Sequence, residues 1–155
     1  MSYRIAGLAP EPFAPLFELD DAALAERHAL RMTVGEADGV PCRISLRDAE
    51  PGDEVLLLNY LHLPVDSPYR ARHAIYVNRR ADTAFDEIDH LPPVFTGRML
   101  SLRGFDDRGM LRDGDLVDGA ASEKAIERLF DNPKVSYLHA HFAVPGCFAA
   151  RIERA

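Results

Sequence analysis

The segment "YLHAHFAVPGCFAARIER", residues 137–154, holds the side chains best suited to chemistry. His139 and His141 are separated by one residue, and Cys147 follows a proline-glycine pair. Because successive side chains of a β-strand point to opposite faces, both imidazoles would lie on one face, about 7 Å apart. Imidazole can transfer protons or bind a metal ion, and a thiolate is a nucleophile. The sequence therefore predicts His139, His141 and Cys147 as candidate catalytic residues.

The register of this hairpin decides whether the thiol lies beside the imidazoles. A four-residue turn centred on Pro145 and Gly146 would pair Val144 with Cys147 and place the thiol on the apolar face. A glycine bulge at Gly146 would instead pair His141 with Cys147, on the histidine face. Pro-Gly best suits a type II turn, whose twist fits tight hairpins poorly. We therefore favour the bulged or longer loop.

A second set of polar side chains lies upstream of the hairpin. His62 closes the apolar run "EVLLLNYLHLP", and the irregular segment "HLPVDSPYRAR" contains Tyr69 and Arg70. Arg43 precedes them in "PCRISLRDAE". Guanidinium groups bind carboxylates and phosphates through paired N–H donors. We expect these residues to line a pocket for a small polar or anionic ligand, with the lining set Arg43, His62, Tyr69 and Arg70.

The preferred functional hypothesis is a small-ligand protein, with or without a catalysed reaction. His139 and His141 would act in it as hydrogen-bonding or acid–base groups. Arg43 and Arg70 would contact an anion. Adjacent imidazoles resist double protonation, so at least one should stay neutral near pH 7. A related hypothesis makes Cys147 a nucleophile that His141 activates.

Two alternatives come from other classes. In a metal site, His139 and His141 would be two ligands, and the set would be completed by Cys147, Cys42 or His62. No compact ligand motif such as HExxH occurs, so the sequence alone assigns no metal ligand. The other alternative is a structural module that forms a homodimer through the hairpin edge or an apolar face. It would have no catalytic site.

The elements that hold these residues can be read from the pattern of apolar side chains. Strands are predicted at "YRIAGLA", from Leu30 to Val34, and at "EVLLLNYLHLP", "HAIYVNRR" and "GRMLSLRGFD", with a short strand inside "DDRGMLRDGDLVDG". Asp20 or Asp21 would cap a short helix. A longer helix is predicted in "ASEKAIERLFDNP", with the apolar stripe Ala125, Ile126, Leu129 and Phe130. We expect residues 1–155 to form a single α+β domain with a mostly antiparallel sheet, about two helices and a C-terminal β-hairpin inside the sheet.

Three features together resemble the bacterial family catalogued as domain of unknown function 1203. They are "PCRISLRDAEPGDEVLLLNYLHLPVDSPYR", the aspartate-glycine before the last helix, and "YLHAHFAVPGCFAARIER". The resemblance covers nearly the whole chain and implies no activity, cofactor or catalytic residue. The chain departs from the family pattern at Leu63, where glutamine is usual, and at Phe142, where a polar residue is usual. Both departures make the neighbourhood of the histidines more apolar.

Composition excludes several classes of partner. The chain has 155 residues, 47% of them apolar and 28% charged, which fits a soluble globular protein. A net charge of −7 argues against nucleic acid or an anionic membrane surface as the main partner. The longest aliphatic run, Val55 to Leu58, is far shorter than the roughly 20 apolar residues of a membrane-spanning helix. The N-terminal "MSYRIAGLAPEPFAPLF" lacks the apolar stretch of a signal peptide, so a cytoplasmic location is expected.

Cofactor fingerprints give no further guidance. The sequence contains neither GxGxxG nor a P-loop, and it has no serine nucleophile elbow. The sequence therefore does not identify a cofactor.

Overall fold

Nine strands and two α-helices form the regular structure of residues 1–36 and 39–155, which the computed structural model describes. The strands are β1 (Tyr3–Ala6), β2 (Ala29–Thr33), β3 (Glu54–Leu63), β4 (Ala71–Asn78), β5 (Asp86–Ile88), β6 (Met99–Phe105), β7 (Leu111–Asp118), β8 (Tyr137–Phe142) and β9 (Phe148–Arg154). The α-helices are α1 (Asp21–Glu26) and α2 (Glu123–Asp131). Short 3-10 helices span Ala14–Glu18, Pro93–Phe95 and Gly119–Ala121.

The strands form two antiparallel sheets. The larger sheet has six strands in the order β5-β1-β9-β8-β6-β7, and the smaller has three in the order β2-β3-β4. The C-terminal hairpin β8–β9 therefore occupies the centre of the larger sheet. This architecture confirms the predicted α+β class, with its mostly antiparallel sheet, two helices and C-terminal hairpin.

The main apolar core lies between α2 and one face of the six-stranded sheet. The predicted stripe of α2 is buried there, with Ala125, Ile126, Leu129 and Phe130 in one cluster with Leu138, Ala140 and Ile152 of the hairpin. Each fully buried leucine, isoleucine or phenylalanine side chain contributes about 1.5–3 kcal/mol to folding. This core fixes one face of β8 and so determines which residues its other face presents.

The opposite face of β8 is also buried. All six residues of β8 are shielded from solvent, although only alternate ones belong to the main core. On the second face, Tyr137 clusters with Phe105 of β6 and Leu63 of β3, so the end of the smaller sheet covers this side. The histidines of β8 consequently lie between the two sheets. No helix in the described part of the chain is long and apolar enough to cross a membrane.

Candidate functional site

Three histidines converge in the space between the sheets. His139 and His141 come from β8, and His62 comes from β3, near its end. One ring nitrogen from each lies within 4.8 Å of the others, and the three ring centroids are 5.1–6.2 Å apart. The exposed fractions are 8% for His62 and 2% for each of the other two. Among the described residues, this is the one group of three or more metal-ligating side chains with such spacing.

Local backbone structure explains how the third histidine reaches the pair. The β3–β4 register shifts between Leu61 and Leu63, which places an irregularity at His62. A bulge of this kind bends a strand and re-aims a side chain. On β8, simple alternation brings His139 and His141 to one face, as the sequence predicts.

Phe148 of β9 makes the site dry on one side. Its ring stacks on His62 at 5.3 Å between centroids and meets His139 edge-on at 4.9 Å. It also contacts His141 edge-on at 6.0 Å. The three imidazoles therefore share an aromatic wall that excludes water from part of each ring.

Burial keeps all three imidazoles neutral at pH 7. It lowers the pKa of His62 to about 4, that of His139 to about 2 and that of His141 to about 3. Loss of hydration is the main cause for each, because it penalises the charged form. The neighbouring imidazoles and the positive charge of Arg103 add to the effect, and Arg151, opposite His139 on β9, does so for His139. The sequence predicted at least one neutral imidazole because of mutual repulsion; the pKa values make all three neutral, and burial is the main cause.

The hydrogen bonds of the three rings leave nitrogen atoms free to accept. His141 Nδ1 lies 3.0 Å from the carbonyl oxygen of Gly146, which can only accept, so Nδ1 carries the proton and Nε2 has the lone pair. His62 Nδ1 and His139 Nδ1 are buried and have no hydrogen-bond partner among the described residues. A buried polar atom left without a partner costs about 1–3 kcal/mol. Two such atoms in one cluster are therefore free to bind an ion, a water molecule or a ligand atom.

A zinc ion fits this donor set. Zinc binds neutral imidazole at about 2.0–2.1 Å, so in a tetrahedral site two ligand nitrogens lie about 3.3 Å apart. The observed nitrogens are within 4.8 Å of one another, so the rings would have to move closer together to share one ion. The hydrogen bond from His141 Nδ1 to a backbone carbonyl is also the usual way to orient a metal-ligating histidine. The set lacks a fourth protein ligand among the described residues, which leaves a coordination position open.

A cavity of about 420 Å³ adjoins the cluster. His62 and His141 form part of its wall, together with Tyr69, Ser101 and Arg103. Ser101 and Arg103 are on β6, directly opposite His141 and His139 respectively. Two of the three histidines therefore border a space large enough for a small molecule.

The hairpin loop is longer than a tight turn, as the sequence favoured, but the predicted pairing of His141 with Cys147 is wrong. Phe142 N–H donates to Cys147 O at 2.9 Å, so a four-residue loop from Ala143 to Gly146 separates the paired residues. His141 then pairs with Phe148, and one extra residue, Ala149, precedes the next pair. Neither predicted pairing of Cys147 occurs. The thiol packs in the main core with Phe142, and Phe148 occupies the position beside the imidazoles that the favoured register gave to the thiol.

Both cysteines are free and buried away from the histidine cluster. Arg43 Nη2 donates to Cys147 Sγ at 3.0 Å, and the Cys42 sulfur accepts from Asn78 N–H at 3.3 Å. Of the residues considered to complete a metal site, His62 is the one that joins His139 and His141.

The four predicted ligand-binding residues do not share one cavity. His62 and Tyr69 line the cavity beside the histidines. Arg43 lines a separate cavity of about 480 Å³ with Cys147. Its guanidinium donates to the carbonyl oxygens of Phe148 and Pro41. Arg70 is exposed, and its Nη1 donates to Val65 O at 3.4 Å.

Sequence reasoning missed Ser101, Arg103 and Phe148. Alternation in "GRMLSLRGFD" places Ser101 and Arg103 on the same face of β6. The local sequence pattern does not predict that β6 pairs with β8, or in which register. Phe148 was missed because its position depends on the loop length and on the bulge at Ala149.

Comparison with known proteins identifies the family but adds no activity. Searches of curated proteins and of solved structures found no significant match. The family model described as "Protein of unknown function (DUF1203)" matches residues 39–154, a range that contains His62, His139, His141 and Arg103. The chain therefore belongs to the DUF1203 family, as the sequence resemblance indicated.

Proposed function

We propose that this protein binds a divalent transition metal, with zinc as the best fit, through His62, His139 and His141. The observation that carries the proposal is the convergence of three buried, neutral imidazoles, two of which have an unpartnered buried nitrogen. Lone pairs held together in a dry site favour a cation that can accept them. Zinc suits imidazole donors and the absence of a fixed fourth ligand.

The open position gives the metal a role beyond structure. Structural zinc sites are closed by four protein ligands, whereas catalytic sites have three and keep one position for water or substrate. Two of the proposed ligands, His62 and His141, line the 420 Å³ cavity, so a fourth ligand would come from that side. A small polar or anionic ligand in this cavity would coordinate the metal. Bound zinc would polarise such a ligand or lower the pKa of a bound water toward about 7, which suits hydrolysis or hydration.

The direct test is metal content and zinc affinity. Untagged protein should contain close to one equivalent of zinc by elemental analysis, and metal-free protein should take up zinc in competition with a chromophoric chelator. His62→Gln and His141→Gln should weaken zinc binding by more than about 100-fold, since even loss of an outer-shell partner costs 10–100-fold. His73→Gln is the matched control, because His73 is a half-buried histidine of β4 outside the cluster.

Two results would overturn the proposal. One is metal-free protein that takes up neither zinc nor cobalt. The other is uptake that is unchanged in a folded His62→Gln variant. Cobalt binding to the wild-type protein supplies a readout that needs no variant, because tetrahedral nitrogen coordination gives a visible absorption band. Circular dichroism separates loss of binding from loss of folding.

A further inference from the structure

Arg103 is a cation without a counter-charge at the edge of the histidine cluster. It lies on β6, directly opposite His139, and its side chain forms part of the cavity wall. Cross-strand neighbours of this kind have Cβ atoms about 4.5–5.5 Å apart. Burial lowers the pKa of Arg103, although an arginine so affected still carries its charge at pH 7. The guanidinium therefore brings a positive charge into the same space as the open metal position.

No carboxylate in residues 1–36 or 39–155 forms an ion pair with Arg103. Its Nε donates to Ser101 Oγ at 3.2 Å, and that bond leaves the two Nη groups without an acceptor among the same residues. Asp115, which also lines the cavity, is held by Arg128 Nη2 at 3.1 Å. By contrast, Arg112 on β7 is paired with Asp106 at 2.7 Å. A partly desolvated arginine with unused donors is a typical binding group for an anion.

The surroundings of Arg103 leave room for such an anion. The residue opposite it on β7 is Gly114, which also lines the cavity. Tyr69 and Ser101 line the same cavity. A volume of about 420 Å³ is at the small end of the roughly 300–1,000 Å³ that is usual for small-molecule sites.

We infer that Arg103, assisted by Ser101, binds the oxyanion group of a small carboxylate or phosphate ligand, and that the ligand reaches the open metal position beside His139 and His141. This inference rests on the proposed metal site and names the substrate class for it. Arg103 replaces Arg43 and Arg70 as the anion-binding residue. Its guanidinium would bind one end of the ligand, and the metal would bind the other end.

The test measures anion binding to zinc-loaded and metal-free protein by calorimetry. The probes are inorganic phosphate, acetate and, as an uncharged control, glycerol. One or both anions should bind the zinc-loaded protein in preference to glycerol, and Arg103→Gln should weaken that binding by about tenfold or more. Arg47→Gln is the charge-matched control, because Arg47 is exposed and does not line the cavity.

The outcomes separate this inference from the metal proposal. Arg103→Gln should leave zinc affinity close to that of the wild type. If zinc binds but neither anion does, or if Arg103→Gln and Arg47→Gln weaken anion binding equally, the anion inference is wrong and the metal proposal stands. If no metal binds, the metal proposal fails first. A preference for phosphate over acetate, or the reverse, would identify the acidic group.

Discussion

At the scale of single residues, burial changes what each imidazole can do. A histidine in water is half protonated near pH 6.5, whereas His62, His139 and His141 stay neutral to much lower pH. Neutral rings can donate lone pairs but cannot hold an anion by charge. Two guanidinium groups lie opposite His139, and Arg151 is paired with Glu153, so Arg103 is the one suited to an anion. The neutral imidazoles are suited to a metal.

The same pKa values predict acid sensitivity of the metal-free protein. The unfolded chain takes up protons on these histidines near pH 6.5, whereas the folded protein does so only at about pH 4 and below. The free energy of unfolding should therefore fall as pH drops from about 6.5 to 4, by up to about 4 kcal/mol per pH unit for the three groups together. Urea unfolding at a series of pH values measures this slope.

A single-residue variant checks the cause of that slope. His139→Gln removes one of the three groups, so the slope should decrease by about 1.4 kcal/mol per pH unit. His28→Gln is the control, because His28 is exposed. An unchanged slope in His139→Gln would mean that other groups cause the acid sensitivity.

At the scale of elements, the sequence predicted the strands and helices better than their pairing. Asp20 caps α1 by accepting from Ala23 N–H at 2.8 Å, and α2 buries its predicted stripe, since both features depend on local spacing. Alternation also placed His139 and His141 on one face of β8. The approach of His62 and Arg103 depends on contacts between distant segments. A one-residue difference in the hairpin loop also decides which side chain lies beside the rings.

Arg43 was predicted to bind a ligand because it is an arginine, but its surroundings indicate that it stabilises the packing of the hairpin. It is 1% exposed and donates to Phe148 O, Pro41 O and Cys147 Sγ, so it joins residues 41–43 to the hairpin. Arg43→Met should lower the free energy of unfolding by about 3 kcal/mol or more, because it leaves buried carbonyl groups without donors. Denaturant unfolding measures the loss.

The comparison variant is Arg47→Met, at an exposed arginine in the same loop, which should change stability by less than about 0.5 kcal/mol. At a denaturant concentration where Arg43→Met is still folded, its zinc affinity should match the wild type. A stable Arg43→Met protein that no longer binds anions would instead restore Arg43 as a ligand-binding residue.

At the scale of the whole molecule, the histidine cluster connects the two sheets. His62 belongs to the three-stranded sheet, whereas His139 and His141 belong to the centre of the six-stranded sheet. A metal held by all three would therefore link elements far apart in sequence. Ligand binding to the folded state stabilises it by about 2.7 kcal/mol at a free concentration of 100 times Kd.

Zinc loading should consequently slow hydrogen exchange in both sheets. Amides of β3 and β8 should gain protection together, because their side chains hold the same ion. Hydrogen exchange followed by mass spectrometry, with and without zinc, measures this at peptide resolution. Protection gained in β8 alone would show that His62 is not a ligand. The His62→Gln variant is the control, because its weaker zinc binding should remove the gain from both β3 and β8 at the same zinc concentration.

The bond from His141 Nδ1 to Gly146 O ties a surface loop to the chemistry of a buried ring. Gly146 has a left-handed backbone conformation, with φ of 79°, which presents its carbonyl to the imidazole. Hairpin tips are ordinarily where chains tolerate insertions. Here an added residue would break the bond from His141 Nδ1 to Gly146 O, and the ring proton would then exchange between Nδ1 and Nε2. The tautomer of His141 therefore depends on the length of the 143–146 loop.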